Sequence, residues 1–213
     1  VLLSKEFAKP VSIKDLRKNP TVQALEAFLR SESVQDSFEI YQDYPLSQTQ
    51  NGIFVECISN PDTTIYNIPY LLKLTDKINV EKLKAAVETA LNAHPYLKTT
   101  LFMNDEGDIR AKRDDEQKLA VDIIETKTLP DNSALVRPYR ILGDKLCRTA
   151  IYQTDDGNYL FMEFHHIIFD GTSTSVLLQD ISDAYEGRIP EMETFTGFEA
   201  ALLEQEARKS SQY

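Results

Sequence analysis

Basic residues are in short supply here: 23 Lys and Arg stand against 34 Asp and Glu, giving a formal net charge of −11 and a sequence pI of about 4.8. A phosphate backbone is held by clustered Lys and Arg, so this balance excludes nucleic acid as the main partner. Cysteine is scarce as well. Cys57 and Cys147 are the only two; neither stands in a Cys-x-x-Cys pair, and both sit in apolar surroundings. That leaves no disulfide framework and no zinc ribbon, and both read as reduced core residues of a cytoplasmic protein. No stretch approaches the roughly 20 uninterrupted apolar residues of a membrane-spanning helix. The opening "VLLSKEFAKP" has no basic stretch, long apolar stretch or small-residue cleavage site, so it does not read as a secretory signal. It also lacks an initiator Met, and the chain reads as a piece of something longer. A Gly-rich phosphate loop, an internal repeat and a low-complexity tract are all missing.

What is present is an ordinary globular composition, 42% apolar and 27% charged, with helix and strand patterns in alternation. "NPTVQALEAFLR" places Thr21 as N-cap before an apolar face of Val22, Leu25, Phe28 and Leu29. The polar "SESVQDSF" that follows has no period and reads as a linker. Ser47 and Gln50 form a capping-box pattern at the start of a helix that continues through Ile53, Phe54, Cys57 and Ile58. "YNIPYLLKL" reads as a strand, with Pro69 placing it at an edge or at the strand's start. Asn79 caps the most regular helix, with Val80, Leu83, Val87, Ala90 and Leu91 inward and Pro95 ending it.

Further along, "DIRAKR" and "LAVDIIE" are short strand candidates, "MNDEGD" is a turn, and "DNSALVRPY" holds a short helix. "LCRTAIYQ" and "NYLFMEFHH" are stronger strands joined by the hairpin turn "TDDGN". "TSTSVLLQDISDAYEG" reads as a helix with Val176, Leu177, Ile181, Ala184 and Tyr185 inward and Gly187 past its end. This alternation, without a strict parallel repeat, predicts an α/β fold: a two-layer sandwich with a mixed sheet packed against helices.

Two of the three histidines stand side by side in "FMEFHHIIFDG", residues 161–171. Strand alternation points His165 and His166 to opposite faces, so a regular strand cannot offer both to one metal ion, and no further ligands stand at zinc-like spacing. A single buried His is most often a hydrogen-bonded core group. At a strand end before a helix, an imidazole can also accept or hold a proton during acyl transfer, because its unperturbed pKa lies near neutrality. Asp170 is expected to pair with a cation, with Arg148 on the preceding strand as the candidate. Gly171 is expected to let the backbone turn tightly and approach a substrate. His94 reads as a local hydrogen-bonding group at a helix end, Ser47 as a cap rather than a nucleophile, and Asp114 to Gln117 as a solvated loop.

His165-His166-Ile167-Ile168-Phe169-Asp170-Gly171 resembles the His-His-x-x-x-Asp-Gly signature of nonribosomal peptide synthetase condensation domains, members of the chloramphenicol acetyltransferase-like acyltransferases. "YPLSQTQNGI" is similar to the family's Ser-x-x-Gln motif, with Gly52 where the family often has Arg. "NAHPYLKTTLF" resembles its Arg-His-Glu-x-Leu-Arg-Thr motif, keeping His94, Leu97 and Thr99 but not the residues at Ala93, Pro95 and Lys98. "YRILGDKLCR" resembles the segment that supplies a structural arginine, here Arg148.

The resemblance implies that residues 41–213 form the N-terminal, donor-side lobe of a condensation domain. Residues 1–32 would be the last helices of a peptidyl carrier protein, lacking its attachment serine, and 33–40 the linker. It implies amide-bond formation between thioesters carried on phosphopantetheine arms, with no cofactor bound directly. His166 would act as general base or hold the amine, His165 would position the loop or pack, and Gly171 would lie beside the thioester. Asp170 and Arg148 would be structural. The implied partners are upstream and downstream carrier proteins, an adenylation domain and the domain's C-terminal lobe; the lobe alone is expected to be inactive. An epimerization domain of the same family, or a condensation-like module that only docks carriers, shares the signature or the fold.

Overall fold

A computed structural model describes residues 19–30 and 39–209. The chain divides into two units, Val1–Ile40 and Tyr41–Tyr213. In the first, helix α1 (Val22–Arg30) begins where expected: the Thr21 hydroxyl accepts the Ala24 N–H at 3.1 Å, satisfying one of the first-turn donors that a helix leaves free. The helices expected before residue 19 and most of the expected linker at 33–40 lie outside the described residues.

The second unit runs β1 (Asp43–Pro45), α2 (Gln48–Ser59), β2 (Asn67–Lys73), α3 (Val80–Ala93), a 3-10 turn (Pro95–Lys98), β3 (Thr100–Met103), β4 (Ile109–Lys112), β5 (Asp122–Glu125), α4 (Asn132–Leu135), β6 (Cys147–Thr154), β7 (Gly157–His165), α5 (Gly171–Tyr185) and α6 (Gly197–Lys209). The larger sheet has the order β2-β7-β6-β5. Its β2/β7 and β6/β7 pairs are antiparallel, while β5 and β6 run parallel. It is therefore the mixed sheet expected, with β2 and its Pro69 at the edge. Of a second, three-stranded sheet, β1-β4-β3, only β4 was expected, in "DIRAKR"; the short β1 and β3 carry too little alternation to read.

Central strand β7 is buried on both faces, which explains its nearly unbroken apolar run. Leu160, Met162 and Phe164 point to the face that joins Leu83, Val87 and Leu91 of α3 and Leu177 and Ile181 of α5 in one core. The β6–β7 hairpin closes on the two residues Asp155 and Asp156, since Thr154 pairs with Gly157. Gly157 takes the φ of 136° that the close requires. Helix α3 is capped as read, with the Asn79 side chain accepting from the Lys82 N–H at 2.9 Å.

Helix α5 differs from expectation in one respect: Val176 is 50% exposed and lines a cleft instead of the core. Helix α6 was not anticipated, although Thr196-x-x-Glu199 is a capping-box pattern in the sequence. The buried Glu199 accepts from the Thr196 N–H and hydroxyl, both at 2.7 Å, and holds Arg113 at 3.1 Å. Cys57 and Cys147 are buried and free. Burial pushes both thiols up, Cys147 to about 12, so they stay protonated and act as core residues. Among the described residues, no helix is long and apolar enough to cross a membrane.

Candidate active site

The motif loop begins where β7 runs out. The His165 N–H donates to Leu146 O and the His166 N–H to Tyr66 O, both at 2.8 Å, and the Ile168 N–H closes a turn onto His165 O at 3.0 Å. The three residues between His166 and Asp170 are all buried: Ile167 at 3%, Ile168 at 5% and Phe169 at 5% exposure. Phe169 stacks on Phe164 with ring centroids 4.1 Å apart. Each such side chain contributes about 1.5–3 kcal/mol by leaving water. The intervening positions are thus anchors, and His166 is left exposed between buried neighbours.

The two histidines face different surroundings. His165 is 3% exposed, accepts the Ile167 N–H at Nδ1 (3.2 Å), and places Nε2 3.5 Å from Cys57 Sγ. Because Nδ1 accepts, the proton of the neutral ring sits on Nε2 and points at the sulfur. Burial first, then the charges of His166 and Arg148, lower its pKa to about 4, so it remains neutral and braces the turn. His166, by contrast, lines a cleft of about 480 Å³ together with Asp170, Thr172, Val176, Phe195 and His94.

Asp170 caps α5: its Oδ1 accepts the Ser173 N–H at 2.8 Å and the Ser173 hydroxyl at 2.7 Å. These bonds hold the carboxyl below the usual range. The expected Asp170–Arg148 pair does not form. Arg148 stands opposite Glu163 on the neighbouring strand and holds that fully buried carboxylate at 2.8 Å. It also donates to Arg137 O (2.6 Å) and Pro138 O (2.9 Å), and its guanidinium lies 3.7 Å from the Tyr139 ring centre. The reason is alternation. Arg148, Glu163 and His165 share the sheet face away from the core of α3 and α5, whereas Asp170 opens α5. Arg148 still reaches the motif indirectly, since Tyr139 stands edge-on to His165 at 5.6 Å.

Gly171 also departs from expectation. It is not among the glycines with positive φ, so no tight turn demands it, and a Cβ there would meet open space.

Two contributions escaped the sequence reading. Gln50 completes the expected capping box, with Oε1 accepting the Ser47 N–H at 2.9 Å and Ser47 Oγ accepting the Gln50 N–H at 3.2 Å. Its amide also donates to Ile167 O at 2.8 Å and to the Tyr96 hydroxyl, bolting the motif loop to α2. Gly197 lets the Tyr96 ring take this place, because a Cβ there would run into it. The second is His94, which closes α3 as its C-cap, its N–H donating to Leu91 O at 3.3 Å, while its ring reaches beyond the helix: Nε2 reaches Asp180 of α5 at 2.8 Å and Nδ1 reaches Glu193 at 3.2 Å. Among the described residues, no group of three or more His, Cys, Asp or Glu is arranged to hold a metal ion.

This geometry, an exposed imidazole on a loop clamped at both ends beside a cleft, occurs in a chain with extensive relatives. The sequence model of one family, described as Condensation domain, matches residues 40–213. Surfactin synthase subunit 1 of Bacillus subtilis (strain 168) is 30% identical over 194 residues, covering 87% of this chain. Bacitracin synthase 3 of Bacillus licheniformis is 27% identical over 195 residues, again covering 87%. The chain spans only 5% of the first of those proteins and 3% of the second. Among solved structures, the condensation domain from Monacolin K polyketide synthase MokA superposes with a TM-score of 0.67 at 20% identity, covering 82% of this chain and 41% of that one. The starter condensation domain of the rhizomide synthetase RzmA gives 0.65 at 18%, covering 81% and 45%. At such identities the structural likeness speaks for the fold alone, and that fold is the expected α/β lobe, a mixed sheet packed against helices.

Proposed function

This chain belongs to the condensation-domain family of the nonribosomal peptide synthetases, and from that premise we propose that residues 41–213 are the donor-side lobe of a domain that joins two carrier-bound acyl groups through an amide bond. One acyl thioester would arrive on the phosphopantetheine arm of an upstream carrier, and the amine of a second on a downstream carrier would attack it. The observation that carries the reading is the exposure of His166 at the cleft while every residue between it and Asp170 is buried. A loop that only packed would have no reason to present an imidazole there. His166 takes the amine's proton or holds the amine in line, and the open space at Gly171 leaves room for the thioester. His165 positions the loop, and Asp170 and Arg148 are structural.

Residues 1–32 are read as the end of a carrier protein and 33–40 as its linker; the division of the chain at Ile40 supports this boundary. The partners in this reading are the two carriers, an adenylation domain and the second lobe of the same domain, in the cytoplasm. Solved relatives are more than twice as long as the part this chain covers, so the lobe alone is expected to show no multiple turnover.

The test follows acyl mass on both loaded carriers in a single turnover of the parent protein. Wild type should deliver dipeptide to the downstream carrier, and His166→Ala should slow that transfer about 100- to 10,000-fold with unchanged thermal unfolding. Proton exchange at the donor α-carbon without transfer would assign epimerization instead. Neither reaction, with both carriers loaded, would leave a docking role.

A further inference from the structure

One wall of the cleft is the irregular segment 188–196 that joins α5 to α6 and contributes Glu193, Phe195 and Thr196. Burial does little to hold its middle: Ile189 is 85% exposed, Met192 60% and Phe195 50%. Its ends are tied by polar bonds, Arg188 to Asp183 and Glu186 and Thr196 to the buried Glu199. Between them, the Glu193 N–H donates to Ala93 O at 3.0 Å, and the Glu193 carboxylate meets His94. Both ring nitrogens of His94 face a carboxylate oxygen, Nε2 that of Asp180 at 2.8 Å and Nδ1 that of Glu193 at 3.2 Å. A neutral imidazole carries one N–H and can serve only one of them; its other nitrogen would turn a lone pair on an oxyanion. Only the imidazolium donates to both.

We propose that His94 is a positioning residue whose charged, doubly donating form fastens segment 188–196 to α3 and α5, so that this wall of the cleft is held when His94 is protonated and released when it is not. The fastening stands on the geometry alone; its consequence for acyl transfer rests on the function proposed above. Asp180 faces His94 from α5 and Glu193 from the segment, while Tyr96, His166 and Asp170 share the cleft. Burial by itself pulls the pKa of His94 down, but the hydrogen bonds to Glu193 and Asp180 outweigh it and hold it above the ordinary value. The tie is therefore complete below about pH 6.5, the unperturbed value, and is lost as pH rises through the raised one.

Hydrogen exchange of peptides spanning 188–196, measured in the protein that carries this chain at pH 6 and pH 8.5 and corrected for intrinsic rates, tests the proposal without any acyl transfer. Wild type should lose protection in this segment by about tenfold at the higher pH, the loss expected of one charge-assisted bond. His94→Gln and Glu193→Gln should show low protection at both values. If His94→Gln does not fold, Glu193→Gln decides alone, since it leaves the Asp180 bond in place. Unchanged wild-type protection, or the same pH-dependent fall in either variant, would overturn the fastening. Failure of His166→Ala to slow transfer would instead overturn the reading of the site.

Discussion

His165 and His166 are adjacent in the chain and opposite in circumstance. His165 lies on the sheet face shared with Arg148 and Glu163, neutral and enclosed by Cys57, Tyr66 and Tyr139. His166 stands in the open at the cleft with the cap of α5 a few residues on. The alternation that sends neighbouring side chains to opposite faces has divided one motif: one side fixes the backbone, and the other faces the cleft where the proposed reaction would take place. Substitutions behind His165 should therefore cost stability, and substitutions around His166 should cost transfer.

The largest stability effect expected on the buried side is that of Arg148→Ala. It strips the cation from a Glu163 that is wholly buried and that keeps the Asn67 amide at 2.7 Å. Denaturant unfolding should show a loss of about 3 kcal/mol; a loss under about 1 kcal/mol would mean that the pair does not brace this face. Next comes a pH effect with a fixed sign. Unfolded His165 binds a proton near pH 6.5, whereas the folded ring does so only near 4, so the unfolded state gains protons first as pH falls. Stability should drop by about 2 kcal/mol between pH 7 and pH 5 from this residue, and His165→Gln should remove that share of the slope. The same slope in the variant would put His165 outside the buried environment. His94 has the opposite sign, losing its contribution as pH rises.

The smallest effect is the one that bridges the two sides. Gln50→Ala leaves Ile167 O without its donor and should cost about 1–2 kcal/mol. Because that carbonyl belongs to the residue next to His166, single-turnover transfer should slow as well. An unaltered transfer rate would confine Gln50 to capping its helix.

Local rules recovered much of this from the sequence. The caps at Thr21, Ser47 and Asn79, the hairpin at Asp155 and Asp156, and the edge position of Pro69 each depend on residues within four places of one another, and each stands as read. What could not be read were second roles. Gln50 is legible as a cap because Ser47 is three residues away; nothing in the sequence joins its other end to Ile167. His94 reads as a helix end because its neighbours are visible, whereas Asp180 and Glu193 are not. The pairing expected of Asp170 with Arg148 went wrong by proximity to the motif alone; the strand register assigns Arg148 to Glu163. Val176 fits the apolar period of α5 and yet faces the cleft, since periodicity does not distinguish a core from a cavity.

The bond from Gln50 to Ile167 spans 117 residues, and it has a bearing on the chain's birth. As the polypeptide leaves the ribosome, α2 emerges early, and the bond from its Gln50 amide to Ile167 O waits until the whole of β7 has followed. Contacts of such long range form late, because the entropy of closing the loop must be met before any contact rewards it. The motif loop is thus among the last parts of the unit to be organised, and a chain stalled during synthesis before residue 167 carries a finished cap with no site to hold.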